Sequence, residues 1–187
     1  MNIQISEIAN LPSKFGNFKV KAFKENEKEH LVIYTKNIQE IPIVRVHSEC
    51  LTGDALGSLK CDCRDQLEYG LELASKTDGM VIYLRQEGRN IGLLNKINAY
   101  SLQDKGANTI EANHQLGFKA DERTYEIVTF ILNHFNIKKI KLLTNNPDKI
   151  NSISDIEIVE RVPIIMESNK YNEEYIQTKK DEMGHLF

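Results

Sequence analysis

Phe18, Val20 and Ala22 alternate with Lys19 and Lys21, and a period of two puts one set against a core and the other in water, so the spacing predicts a half-buried strand. Residues 31–34 (Leu-Val-Ile-Tyr) and 43–46 (Ile-Val-Arg-Val) read as further strands, making roughly the first forty-eight residues β-rich. From about residue 64 the period changes. Leu67, Leu71 and Ala74 recur at i, i+4 and i+7 with Glu68 and Glu72 on other faces, the mark of an amphipathic helix. Residues 80–84 form a short apolar run of buried-strand type, followed by Gln86-Glu-Gly-Arg-Asn-Ile-Gly92 and a helical pattern through Leu93, Ile97 and Tyr100. A helix over 121–135 is expected next, with Ile127, Ile131 and Phe135 along one stripe. A strand over 141–144 then ends in the turn signal Asn145-Asn-Pro147, and Asp148-Lys149 opens a short helix. A strand over 156–159 and a charged, helix-prone tail over 172–183 complete the chain.

Strands alternating with helices predict an α/β fold: a layered α/β/α mixed sheet over about 64–187, with the β-rich N-terminal part, about 1–48, packed on it. No repeat, low-complexity run or Pro/Gly/Ser linker interrupts the sequence, so 1–187 is expected to be a single domain. With 41% hydrophobic and 27% charged residues, a chain of 187 can bury a substantial core without staples. A net charge of −3 argues against a general nucleic-acid binder while leaving room for a local cationic pocket. The N-terminus lacks a basic stretch followed by an apolar core, and no apolar run approaches the ~20 residues that cross a bilayer. A cytoplasmic protein without membrane partners is expected.

Cys50, Cys61 and Cys63 are the only cysteines, an odd number with one Cys-x-Cys pair, unlike a secreted disulfide framework. Three thiolates from one segment can fill three corners of a zinc tetrahedron and leave the fourth for water, whose pKa such an ion lowers to about 7. The alternative is ordinary buried cysteines, since ten residues and then one between them fit no common closed-site pattern. The 43–46 strand delivers Arg45, His47 and Glu49 to the mouth of this segment, and Gln66 starts the following helix. Arg85, Arg89 and Lys96 flank a strand-turn-helix junction of the kind that offers cations and backbone N–H groups to an anion; a solvated basic patch is the alternative. Thr144-Asn-Asn-Pro-Asp-Lys149 repeats the arrangement, and the two could share one triphosphate. Asp121 is a candidate N-cap or proton acceptor, Tyr100 a core residue or a hydrogen-bond donor to a charged intermediate.

Taken together, Arg45-Val-His-Ser-Glu-Cys-Leu-Thr-Gly-Asp54, Cys61-Asp-Cys63, Arg85-Gln-Glu-Gly-Arg-Asn-Ile-Gly-Leu-Leu-Asn-Lys96, Glu111-Ala-Asn-His-Gln-Leu-Gly117, Ala120-Asp-Glu-Arg123 and Leu142-Leu-Thr-Asn-Asn-Pro147 resemble the GTP cyclohydrolase II family of riboflavin biosynthesis. The resemblance spans nearly the whole chain. It implies hydrolysis of GTP to formate, pyrophosphate and 2,5-diamino-6-ribosylamino-4(3H)-pyrimidinone 5′-phosphate, with zinc and magnesium, by a homodimer of the monofunctional form. Cys50, Cys61 and Cys63 match the family's zinc ligands. Arg45, Val46, His47, Ser48, Glu49, Gln66, Glu87, Gly88, Arg89, Thr109, Thr144 and Lys149 match positions that contact GTP. Asp121 matches the residue described as proton acceptor, Arg123 the one described as nucleophile, and Tyr100 the tyrosine associated with complete deformylation. A guanidinium is protonated at neutral pH, so charge stabilisation at the α-phosphate is the physically easier task for Arg123. The resemblance leaves two rivals: a hydrolase of the same fold that stops at the formamide, and a non-catalytic, zinc-stabilised nucleotide-binding module.

Overall fold

The alternation of apolar and polar residues from Phe18 onward resolves into long antiparallel pairing. In the computed structural model, which describes residues 2–186, β1 (Ile3–Ile5) and β2 (Ala9–Ser13) both pair with β3 (Gly16–Glu25), which pairs with β4 (Lys28–Tyr34). The chain then lays down β5 (Ile43–Ser48), the single turn α1 (Leu51–Asp54), α2 (Cys63–Thr77) and β6 (Met80–Leu84). It continues through α3 (Gly92–Gln103), α4 (Thr109–Gln115), α5 (Glu126–His134) and β7 (Lys139–Leu143). The last elements are α6 (Pro147–Ser152), β8 (Glu157–Val162) and α7 (Glu173–Asp181).

One eight-stranded sheet runs in the order β1-β3-β4-β6-β5-β7-β8, with β2 on β3. The mixed α/β class expected from the alternation holds. The N-terminal strands, however, are not packed on the sheet: β4 pairs antiparallel with β6, so they continue it. Val32 and Ile33 make the reason visible, because both faces of β4 are buried and only a strand inside the sheet has two faces to cover.

Side-chain alternation then separates two cores. Val32, Tyr34, Val44, Val46, Met80, Ile82 and Leu84 point to one face, where Ile127, Val128, Ile131 and Leu132 of α5 cover them. Ile33 and Val81 point to the other, against Leu67, Leu71 and Ala74 of α2. A helix on each face makes the α/β/α layering, and each fully buried aliphatic chain contributes about 2 kcal/mol.

Residues 121–125 are not helical; α5 begins five residues later than the apolar stripe suggests. Their backbone is tied instead to the turn after β6. Gln86 Nε2 donates to Thr124 O at 2.7 Å, Asn90 Nδ2 to Glu122 O at 2.9 Å, and Glu122 N to Arg89 O at 3.2 Å.

Topology also fixes where a ligand can enter. β5 runs parallel to β6 on one side and to β7 on the other, so the chain leaves β5 in one direction and returns in the other. Such a reversal opens a crevice at the carboxyl ends of the strands, where Ser48, Leu84 and Leu143 lead into the thiol segment, the glycine turn and the Thr144 turn. Among the described residues, no helix is long and apolar enough to cross a membrane.

Candidate active site

Immediately after β5 the chain turns through Cys50 into α1, and α2 starts at Cys63, so the three thiols converge. Their sulfurs lie within 4.8 Å of one another, Cys50 and Cys61 at 3.7 Å. Zinc–sulfur bonds of about 2.3 Å at tetrahedral angles would put ligand sulfurs about 3.8 Å apart. Among the described residues, no histidine, carboxylate or further cysteine joins the group. Gly53 leaves room for it: a Cβ there would come within 2.7 Å of Cys61 Sγ and 3.1 Å of Cys50 Sγ. Three thiols at this spacing around a glycine notch fit a divalent ion with one corner open.

Electrostatics favour charge in the notch. The Cys50 thiol is pulled well below its ordinary range by hydrogen bonds from Cys61 and Cys63, reinforced by the Lys96 ammonium 3.1 Å away. Burial pushes Lys96 down, but Glu87 at 2.7 Å and Cys50 more than offset it, and the lysine stays cationic. Asp54 braces the segment, accepting from Cys50 N at 3.0 Å and Tyr83 Oη at 2.6 Å, with His47 Nε2 at 3.1 Å. With Nε2 facing the carboxylate, Nδ1 is the acceptor nitrogen, and it has no partner among the described residues. Burial together with the nearby Arg45 and Lys149 cations lowers the pKa of the imidazole, favouring its neutral form.

Beside the thiols a cleft of about 370 Å³, within the range of small-molecule sites, is lined by a cluster of cations. Arg45 is buried, and burial lowers its pKa to about 10, still protonated at neutral pH. It donates to Gln66 Oε1 at 2.6 Å and Leu143 O at 3.1 Å, and Gly70 of α2 leaves space for its stem. Its Nε is buried with no hydrogen-bond partner among the described residues. Lys149 donates to Val46 O at 2.8 Å, and burial plus repulsion from Arg45, Arg123 and Lys179 drives it well below the usual lysine range. Arg123 and Lys179 have carboxylate partners, but Arg45 and Lys149 contact only carbonyl and amide oxygens among the described residues, an excess of positive charge that suits an anion.

The structure brings most of the residues singled out in the sequence to this cleft. His47, Ser48, Glu49, Gln66 and Gly88 line it, as do Arg89, Thr109, Arg123, Thr144 and Tyr100. Val46 does not: its side chain is in the core, and it serves the site through its carbonyl. Glu87 lines the cleft with its carboxylate already engaged by Lys96, Leu51 N and Gly88 N. Arg85 departs from the expected cationic trio, pairing with Glu49 at 2.8 Å outside this cleft. Gly88, Arg89 and Asn90 all have φ between 57° and 74°, a left-handed run that a Cβ at Gly88 would also obstruct at 3.0 Å from Lys96 Cβ.

Asp121 is not a helix cap. Its carboxylate accepts from Arg123 N at 3.0 Å and grips the Arg123 guanidinium through two nitrogens. Burial opposes the charge on each, yet the pair keeps the carboxyl below its usual range and the guanidinium above its own. Tyr100 Oη lies 3.3 Å from Thr52 Oγ1, and burial raises its pKa to about 12, so it holds its proton. Sequence reasoning missed Asp54, Asp62 and Lys179. Asp54 and Asp62 sit inside the thiol segment, where the cysteines drew the attention. No sequence signal connects Lys179 to Asp62, 117 positions away.

The fold and site are those of an α/β enzyme that sets a thiol cluster beside a polyanion pocket. The sequence model of the family described as GTP cyclohydrolase II matches residues 4–163, and the chain belongs to that family. A protein named GTP cyclohydrolase-2 from Campylobacter hominis is 68% identical over 186 residues, covering 100% of this chain and 96% of its own. Its namesake from Campylobacter fetus subsp. fetus is 64% identical, covering 100% and 97%, and that from Helicobacter hepaticus is 55% identical with both chains fully covered.

Proposed function

We propose that this protein hydrolyses GTP, opening the imidazole ring of guanine and releasing formate and pyrophosphate, the first step of riboflavin biosynthesis. The observation that carries the reading is the convergence, in one cleft, of three thiols at metal-ligand spacing with Arg45, Arg89, Arg123 and Lys149. Cys50, Cys61 and Cys63 would hold zinc, which supplies water activated at neutral pH. The chain's own residues do the rest. Arg45, Arg89 and Lys149 take the triphosphate, and magnesium accompanies it as a counter-charge. Arg123, held by Asp121, faces the charge that builds as pyrophosphate leaves. Tyr100, still protonated beside Thr52, offers its hydroxyl proton to the opening ring. We propose a cytoplasmic homodimer, each 187-residue chain acting as one unit.

Incubation with GTP and magnesium, followed by product identification, tests this. One formate and one pyrophosphate per GTP are expected; pyrophosphate without formate would establish the formamide-producing rival.

Two substitutions examine the parts. Gly53→Ala drives a methyl group among the sulfurs, and zinc retained per chain against a fixed chelator is expected to fall at least tenfold with unchanged circular dichroism. Retained zinc would place the ion elsewhere. Asp121→Asn leaves Arg123 with a neutral partner. Turnover is expected to drop about tenfold to a hundredfold while the acid limb of the pH–rate profile stays in place. Disappearance of that limb would instead make Asp121 the proton acceptor.

A further inference from the structure

Helix α7 lies beyond the residues matched by the family, yet it lines the cleft through Tyr175, Thr178 and Lys179. Lys179 is 9% exposed, and its ammonium lies 3.0 Å from Asp62 Oδ1. Asp62, between two of the thiols, is 3% exposed and occupies the N-cap position of α2. An aspartate there ordinarily accepts from the first backbone N–H groups of the helix, but this one makes no such bond. Its second oxygen accepts from Gln66 Nε2 at 2.6 Å instead. Gln66 Oε1 in turn accepts from Arg45, which reaches the end of β7 at Leu143 O.

A continuous run of hydrogen bonds thus joins the C-terminal helix to the strand ends through the residue between Cys61 and Cys63. Burying two opposite charges is costly, and an apolar pair would pack there without that cost. The carboxylate forgoes its local cap for a partner 117 positions away, so the geometry fixes where the thiol loop sits relative to α7.

We infer that Lys179 is a positioning residue of the thiol site: through Asp62 it holds the Cys61–Cys63 turn and Gln66 in the arrangement that grips the metal. The inference rests on reading the thiols as a metal site and deepens the proposed function by adding α7 to the catalytic unit. The full-length protein is compared with Lys179→Met, Lys179→Arg, Asp62→Asn and the double variant Asp62→Asn/Lys179→Met. Amide hydrogen exchange over 173–181 and the rate of zinc loss to a colorimetric chelator are read for each. Both are expected to rise about tenfold in Lys179→Met and in Asp62→Asn. The double variant should be no worse than the more affected single one, and Lys179→Arg should stay within about threefold of wild type.

Lys179→Met leaves an unpaired carboxylate; if it does not fold, the double variant, which carries neither charge, decides the outcome. Unchanged exchange and zinc loss, with only the KM for GTP raised, would overturn the inference and make Lys179 a direct phosphate contact. Should the wild-type protein turn over no GTP, the proposed function fails alone. The exchange comparison still decides whether Lys179 and Asp62 act as one tether.

Discussion

Cys61→Ser is expected to remove formate release from GTP, by at least a thousandfold, together with the bound zinc, while the far-ultraviolet circular dichroism and the cooperativity of unfolding remain those of the wild type. Neither core contains a cysteine: one is built from β-sheet side chains and α5, the other from the opposite sheet face and α2. Those layers hold the fold, and the thiols sit at the strand ends above them. Serine keeps the shape of the side chain but is a poor zinc ligand, and two thiolates cannot hold an ion that needs three protein ligands. The zinc-stabilised binding module predicts the opposite, loss of the metal accompanied by collapse of the secondary structure. A Cys61→Ser protein that unfolds would therefore favour that reading over catalysis.

Lys149→Met is expected to separate binding from stability. The ammonium sits among Arg45, Arg123 and Lys179 with its charge disfavoured by burial and by all three. GTP should restore the balance by supplying the missing anion. Removing the lysine costs a charge-assisted bond to phosphate of about 2–3 kcal/mol, equivalent to a rise of about a hundredfold in the KM for GTP. The ligand-free protein is relieved of a repelled, buried charge, so its melting temperature is expected to hold or rise.

The pH dependence follows from the direction of the shift. A lysine whose folded pKa is depressed binds fewer protons in the native state than in the unfolded one, so its penalty is fully present at low pH. The penalty fades as the pH climbs from the folded value toward 10.5. The melting-temperature difference between Lys149→Met and wild type should shrink over that interval. A fall of more than about 5 °C on substitution, which at this chain length exceeds about 1 kcal/mol, would mean that the bond to Val46 O matters more than the repulsion.

The elements that could be read in advance are those whose burial is local and periodic. Phe18, Val20 and Ala22 fall in β3, Leu67, Leu71 and Ala74 on α2, and the run at 80–84 is β6. The Asn145-Asn-Pro147 turn signal did announce a short helix, α6, whose cap is Asn146: its side chain accepts from Asp148 N at 2.8 Å. The Asn108–Glu111 capping box that starts α4 is equally local, but the helix has no apolar stripe long enough to draw notice.

Where the reading failed, a contact outside the local periodic pattern had claimed the residue. Asp121 would cap a helix if Arg123 did not occupy its carboxylate and the glycine turn did not tie down the non-helical backbone of 121–125. Asp62 was not singled out at all: it takes the N-cap position of α2, but its partner Lys179 comes from the other end of the chain. Arg85 was grouped with Arg89 by sequence proximity, but the left-handed run at 88–90 sends the two to different sides of the strand end. The cysteines could be paired with zinc in advance only as one of two readings, because their convergence depends on α1 folding back around Gly53.

The central claim is that three sulfurs from one segment hold a zinc ion whose remaining position is open to water. Zinc K-edge X-ray absorption on fully active protein measures that directly. Stoichiometric metal with three sulfur neighbours at about 2.3 Å and one oxygen is expected. A fourth protein ligand closing the ion, or full activity without zinc, would contradict it.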